Sequence, residues 1–126
     1  IARAGLESVC FQTRDLLEAM ASDMSAAGLG RPEALRVDGG MVVNDLFCQW
    51  LANLTGRPIE RPQVVETTAL GAAYLAGTGA GIYASLDEVA ASWRCERRFE
   101  PAISADERDG KYDGWKQAVR RVLAHG

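Results

Sequence analysis

The 126 residues carry 14 lysines and arginines against 17 aspartates and glutamates, a formal charge of −3, with 48% apolar residues. That size and apolar share fit one small domain, or a piece of a larger one, that buries a core. The acidic balance excludes the basic footprint of a nucleic-acid binder, no run approaches the roughly 18 apolar residues of a membrane span, and the first residues lack the basic-then-apolar pattern of a signal peptide.

The chain starts at Ile1, not Met, directly in a helical pattern. It is therefore expected to be part of a longer protein. Leu6, Val9, Cys10, Thr13, Leu16, Leu17, Met20, Met24 and Ala27 recur at steps of three and four, one face of an amphipathic helix over about Ala4 to Ala27. Gln12, Arg14 and Asp15 lie off that stripe and are expected to be solvated or at a rim. Gly28, Gly30 and Pro32 stop the helix. Leu35 to Val37 predicts a short strand. Met41 to Thr55 predicts a helix with Val43, Phe47, Trp50, Leu51 and Leu54 inward and Gly56 as its terminator.

Ile59 to Val65 is flanked and interrupted by Pro58 and Pro62, so a strand there is short or at an edge. Thr67 is the expected N-cap of a helix from Thr68 to Ala76. That helix is rich in Ala69, Gly71, Ala72, Ala73 and Ala76, small residues suited to lying close on a sheet. A helical glycine costs about 1 kcal/mol against alanine, so Gly71 calls for a packing partner or a ligand. Ser85 with Glu88, and Ser104 with Glu107, read as capping boxes. Between them Trp93, Cys95, Arg97 and Phe99 alternate with Arg94, Glu96 and Arg98, a strand pattern. The arginines of that strand are expected to be a solvated face, with a phosphate site as the competing reading. A last helix runs to about Ala124 with Tyr112, Trp115, Val119, Val122 and Leu123 inward.

Helices alternating with few strands predict an α/β layered domain. Cys10, Cys48 and Cys95 are odd in number, far apart and accompanied by a single histidine, His125. They form no metal pattern and read as buried small hydrophobes in a reducing, cytoplasmic setting.

The segment with the most chemical content is Leu35-Arg36-Val37-Asp38-Gly39-Gly40, followed by Asn44. It reads as a strand that breaks at two glycines and turns into a helix. Adjacent glycines allow positive φ and close approach of a ligand to the main chain. The opening N–H groups of a helix favour an anionic or acceptor-rich ligand, and Asn44 adds an amide that both donates and accepts. This suits a nucleotide. A plain strand-to-helix turn is the competing reading. A dinucleotide-binding unit is disfavoured because the Gly-x-Gly-x-x-Gly fingerprint is absent.

Several segments in one order resemble the glycerol kinases. They are Arg3-x2-Leu6-Glu7 with Gln12 to Met20, the Leu35 to Asn44 turn, Arg61-Pro62-x-Val64-x-Glu66-x-Thr68 to Gly77, then Phe99-x-Pro101-x-Ile103, Glu107-Arg108, Tyr112 and Gly114-Trp115-Lys116. The wider family is the carbohydrate kinases with an actin-like, ribonuclease-H-like fold. The resemblance implies a partial actin-like ATPase domain, the C-terminal part of the nucleotide-binding lobe over residues 1–126. It implies that Gly39, Gly40 and Asn44 bind the adenosine portion of ATP or ADP, with Asp38 holding the turn. The cofactor implied is the nucleotide with Mg²⁺.

The catalytic aspartate, the glycerol site and the β- and γ-phosphate loops would lie upstream, so no catalytic residue and no metal ligand is assigned here. The parent is expected to be a homo-oligomeric cytoplasmic enzyme that phosphorylates glycerol, without nucleic-acid or membrane partners. A xylulose-type sugar kinase and a non-catalytic nucleotide-binding or interaction module are the alternatives. Asp45 stands where many family members carry a second asparagine. Its negative charge suits the first turn of a helix but is unfavourable to phosphate.

Overall fold

The computed structural model describes residues 1–124, so His125 lies outside it. The chain order is α1 (Ala2–Ala26), β1 (Leu35–Arg36), a 3-10 turn (Gly40–Val43), α2 (Asp45–Thr55), β2 (Ile59–Pro62), α3 (Thr67–Gly79), α4 (Leu86–Ala91), β3 (Cys95–Phe99) and α5 (Ala105–Leu123). The three strands form one sheet in the order β1-β2-β3. β1 pairs parallel with β2, Leu35 beside Ile59, and β2 pairs antiparallel with β3, Ile59 beside Phe99.

β2 is short, as its prolines require, yet it is the central strand. Pro58 precedes it, and Pro62 falls at its end, where the register with β3 shifts between Arg61 and Pro62. Neither ring therefore removes a hydrogen bond from the middle of the ladder.

The core lies where α2 packs between α1 and the sheet. Cys10, Phe47, Cys48, Leu51, Ile59 and Phe99 are buried there, with Leu6, Val9 and Trp50 packed around them. α2 begins at Asn44, whose side-chain oxygen accepts from the N–H groups of Leu46 (2.9 Å) and Phe47 (3.3 Å). It stops at Gly56, which adopts the left-handed conformation at φ 68°, the usual backbone solution at a helix end.

α5 docks on α1 through a polar seam. Arg14 donates to Glu18 (2.9 Å) and Asp109 (2.8 Å) and lies 4.0 Å over the Tyr112 ring. Tyr112 donates to Asp15 and Glu18, Trp115 donates to Asp15 at 2.8 Å, and Trp115 stacks on Phe11 at 5.5 Å. Arg14 and Asp15, expected to be solvated or at a rim, are thus the residues that seat α5. The inward set on α5 is Tyr112 with half-buried Trp115 and Val119. Val122 and Leu123, expected to face inward, are each 74% exposed.

Paired arginines set the acid behaviour of this seam. Arg108 first, and Arg14 after it, pull the Asp109 carboxyl down to about 2. A carboxylate depressed in the fold contributes stability above its ordinary range and loses it as pH falls through the folded value. Burial, then the bond to Asp15, raises the Tyr112 hydroxyl above its ordinary value, so its contribution is lost as pH rises past the ordinary tyrosine range. Denaturation midpoints measured from pH 6 downward should therefore fall most between about 4 and 2. Asp109→Asn should flatten that limb, and an unchanged limb would place the acid sensitivity elsewhere.

α3 spans Thr67–Gly79. Thr67 is its first residue and not its cap. Glu66 occupies the cap position without a side-chain bond, and the Thr67 hydroxyl donates to Asp38 instead. α3 does not lie on the sheet as its small residues suggested: Ala69, Ala72, Ala73 and Leu75 are exposed. It packs on the segment after it. A Cβ on Gly77 would sit 2.9 Å from the Tyr83 ring, and Tyr74 meets Tyr83 edge-on at 5.6 Å. Gly77 is thus the glycine with a packing reason, whereas nothing lies within 4 Å of a Cβ on Gly71.

Both predicted caps form. Ser85 accepts from the Glu88 N–H (3.3 Å) and Ser104 from the Glu107 N–H (3.1 Å). The returning Glu88 carboxylate bonds the N–H of Ala84, not of Ser85.

Two cysteines are buried as expected, and Cys95 is exposed because it occupies the outer end of β3. Burial pushes the Cys10 thiol up to about 12 and raises Cys48 as well, which removes the reactive thiolate. A thiol reagent should label one site in the folded chain and three after denaturation. Fast labelling of three sites without denaturant would contradict the packing.

Candidate functional site

The site is the turn at the carboxyl end of β1. After Arg36 the chain keeps following β2 and the segment beyond it: the Val37 N–H bonds Glu60 O and the Gly39 N–H bonds Val65 O, each at 3.1 Å. Gly39 then takes φ 88° and ψ 172°, a combination open to glycine almost alone. The backbone turns through the 3-10 segment to Asn44 and enters α2.

Gly39, Gly40 and Asn44, named from sequence, therefore all lie in one continuous turn. Gly40 and Asn44 are exposed, and a Cβ at Gly39 or Gly40 would meet no heavy atom within 4 Å. The space over the two glycines is open to a ligand. The carboxyl end of a parallel strand is where α/β sheets bind their ligands.

The helix expected from Met41 is divided. A 3-10 turn covers Gly40–Val43 and the α-helix proper starts at Asp45. The opening donors are divided with it. Asn44 uses its Oδ1 to satisfy Leu46 and Phe47, while the N–H groups of Gly40 and Met41 find no acceptor among the described residues. Asn44 Nδ2 has no partner there either. One side chain thus caps α2 through its oxygen and leaves its amide donors without a partner among the described residues.

Asp38 accepts from Thr67, which ties the start of the turn to α3. Asp45 accepts from Arg61 at 2.8 Å and from Arg97. Its negative charge is balanced by two guanidinium groups, which answers the concern that it opposes phosphate. The arginines of β3 are likewise engaged: Arg97 with Asp45, and Arg98 with Glu60 and Glu100 at 2.7 and 2.6 Å. A phosphate site on β3 finds no free cation in these two residues.

Arg61, which stood in the sequence only as the first residue of a resembling segment, is part of this arrangement. It is the buried charged residue among those described, 8% exposed. Its guanidinium donates to Glu96 (2.7 Å), Asp45 (2.8 Å), Val42 O (2.9 Å) and Val43 O (3.3 Å). The bonds to Glu96 and then Asp45 hold it charged, above the ordinary arginine value, against desolvation. The signal present in the sequence was an arginine two residues after Ile59 and directly before Pro62 on a short strand whose Ile59 and Pro62 are buried.

A cavity of about 710 Å³ lies at the other end of the parallel pair, between α1, the Arg31 to Glu33 loop, Arg57 and Arg108. Arg14 and Arg108 there are paired with Asp109, and Arg57 bonds Pro32 O. These cations are committed to protein partners. The glycine turn, with open space and unbonded donors, remains the candidate site.

Fold and turn together define an α/β domain of the actin-like ATPase class, with a glycine turn between a parallel strand and its helix. The C-terminal domain of the FGGY family of carbohydrate kinases matches residues 1–80, and the chain belongs to that family. It is 57% identical over 122 residues to the glycerol kinase of Alcanivorax borkumensis, covering 97% of this chain and 24% of that protein. Identity to the glycerol kinase of Rhodospirillum rubrum is 56% over 124 residues, with 98% and 24% covered. The crystal structure of Plasmodium falciparum glycerol kinase with ADP superposes with a TM-score of 0.79 at 36% identity, covering 98% of this chain and 24% of that one. The chain thus spans about a quarter of the length of the relatives it matches.

Proposed function

We propose that this chain is the adenosine-binding part of a cytoplasmic, homo-oligomeric ATP-dependent glycerol kinase. The parent protein transfers the γ-phosphate of MgATP to a glycerol hydroxyl and yields glycerol 3-phosphate. The observation that carries the reading is the exposed turn in which Gly39 and Gly40 leave open space and Asn44 keeps a free amide donor. Identity to relatives named glycerol kinase supports glycerol over a pentulose as acceptor.

Within this reading Gly39 sets the backbone path and Gly40 admits the nucleotide against the main chain. Asn44 Nδ2 donates to the adenosine portion. Phosphoryl transfer relies on positioning and on charge stabilisation around the γ-phosphate, and this chain contributes the first of these. Neither nearby carboxylate is placed to act as a base: Asp38 is bonded to Thr67 and Asp45 to two arginines. Among the described residues no cluster of acidic, cysteine or histidine side chains fits a metal ion. Mg²⁺ would arrive with the nucleotide and supply charge neutralisation at its phosphates.

Glycerol 3-phosphate formation tests the reading. A longer protein that contains this chain should phosphorylate glycerol in preference to xylulose, and the 126-residue chain by itself should not. Asn44→Asp in the longer protein should raise KM for ATP while leaving KM for glycerol unchanged. A preference for a pentulose, or an ATP KM untouched by that substitution, would overturn it.

A further inference from the structure

Asn44 does not hold its own position. The chain on each side of it is fastened by one buried side chain from the neighbouring strand. Arg61 bonds the carbonyls of Val42 and Val43 before Asn44 and the carboxylate of Asp45 after it, and Glu96 on β3 holds the other edge of the guanidinium. Cys48 Sγ adds a donor to the same Val42 carbonyl at 3.2 Å. A planar guanidinium with several fixed donors can grip two carbonyls and two carboxylates together, which a lysine ammonium cannot reproduce.

We propose that Arg61 is the positioning residue of the nucleotide turn: it fixes the Val42 to Asp45 backbone so that Asn44 caps α2 with its oxygen and presents its amide to the nucleotide. This rests on the reading of Asn44 as a nucleotide ligand. Arg61 itself need not touch the nucleotide, since it is 8% exposed and its Nε and Nη1 donors are engaged by the protein. Asp45, unusual beside Asn44, gains a reason: it is the anchor that the guanidinium grips on the helix side. Arg97 and Glu96 carry the same network into β3.

The test is a double-substitution cycle on the 126-residue chain. ADP is titrated calorimetrically into the unaltered chain, Arg61→Lys, Asn44→Asp and the double variant, and hydrogen exchange of the Leu46 and Phe47 amides is followed in each. A residue acting through another should show strong coupling. Arg61→Lys is expected to weaken ADP binding about tenfold, the size of a coupling of about 1.4 kcal/mol. It should also speed exchange at both amides. The double variant should bind no more weakly than Asn44→Asp.

Independent, additive losses would overturn the proposal, as would unchanged affinity and exchange in Arg61→Lys. Asn44→Asp binding as well as the unaltered chain, with exchange still faster in Arg61→Lys, would instead sink the nucleotide reading of Asn44 and leave Arg61 a purely structural clamp. Should Arg61→Lys fail to fold, Glu96→Gln loosens one bond of the guanidinium while keeping the buried cation. The same cycle is then run with it and judged by the same outcomes.

Discussion

Gly39→Ala is expected to lower stability by roughly 1–3 kcal/mol, the usual cost of forcing a side chain into a glycine-only backbone conformation, and to abolish binding of adenine nucleotide. At φ 88° and ψ 172° the residue lies where a Cβ is disfavoured by its own backbone, although its surroundings are open. Relief of that strain would swing the chain off the Val65 carbonyl and displace the 3-10 turn that follows. Gly40 supplies the contrast. It has no positive φ, and a Cβ there meets no heavy atom within 4 Å. Gly40→Val should therefore leave the denaturation midpoint nearly unchanged while blocking ADP, because the valine fills the open space over the turn. Urea denaturation paired with ADP titration on both variants separates backbone from ligand effects. Equal stability losses at the two positions, or ADP binding retained in Gly40→Val, would contradict this division.

Ile59→Ala is expected to cost about 2–5 kcal/mol, the range for truncating a large aliphatic side chain in a core. Ile59 is fully buried on the central strand, beside Leu35 on one neighbour and Phe99 on the other. Neither neighbour can collapse into the space without breaking register. Small domains have about 5–15 kcal/mol in total, so the variant should be close to unfolding at room temperature. Ile59→Val should lose only about 0.5–1.5 kcal/mol. Val122→Ala, on the exposed end of α5, should fall within about 0.5 kcal/mol of the unaltered chain. A neutral Ile59→Ala would mean that the core does not form around β2.

Much of this architecture could be read from local pattern. The extent of α1, the glycine stop of α2 and the two serine caps are decided within a few residues and stand where expected, although Leu16 and Met20 of the α1 stripe are 60% and 47% exposed. That Gly39, Gly40 and Asn44 share one turn was legible because turn chemistry and the family resemblance point to the same stretch of chain.

What escaped depends on residues distant in the chain. Arg61 becomes a clamp only because β2 lies between the turn and β3, and its partners are 16 and 35 positions away. Arg14 and Asp15 looked solvated because α5, which covers them, starts about 90 residues later. The apolar residues of α3 and the end of α5 mimic inward faces by periodicity alone. Periodicity records a helix's composition and not what lies beside it. The 3-10 step before α2 was hidden for a related reason: Asn44 was read as a ligand group, and its second role as the cap was not considered.

The central claim is that the Gly39–Asn44 turn holds adenine nucleotide through a side chain that also caps α2. Titration of ADP into the chain and into Asn44→Asp, with inorganic phosphate as the control ligand, tests it most directly. Aspartate is as good an N-cap as asparagine, so α2 is kept while the amide donor is removed. The account predicts saturable binding of ADP but not phosphate to the unaltered chain, and at least tenfold weaker binding, about 1.4 kcal/mol, to the equally stable variant. Equal affinity of the two chains for ADP, or no saturable binding to either, would contradict it.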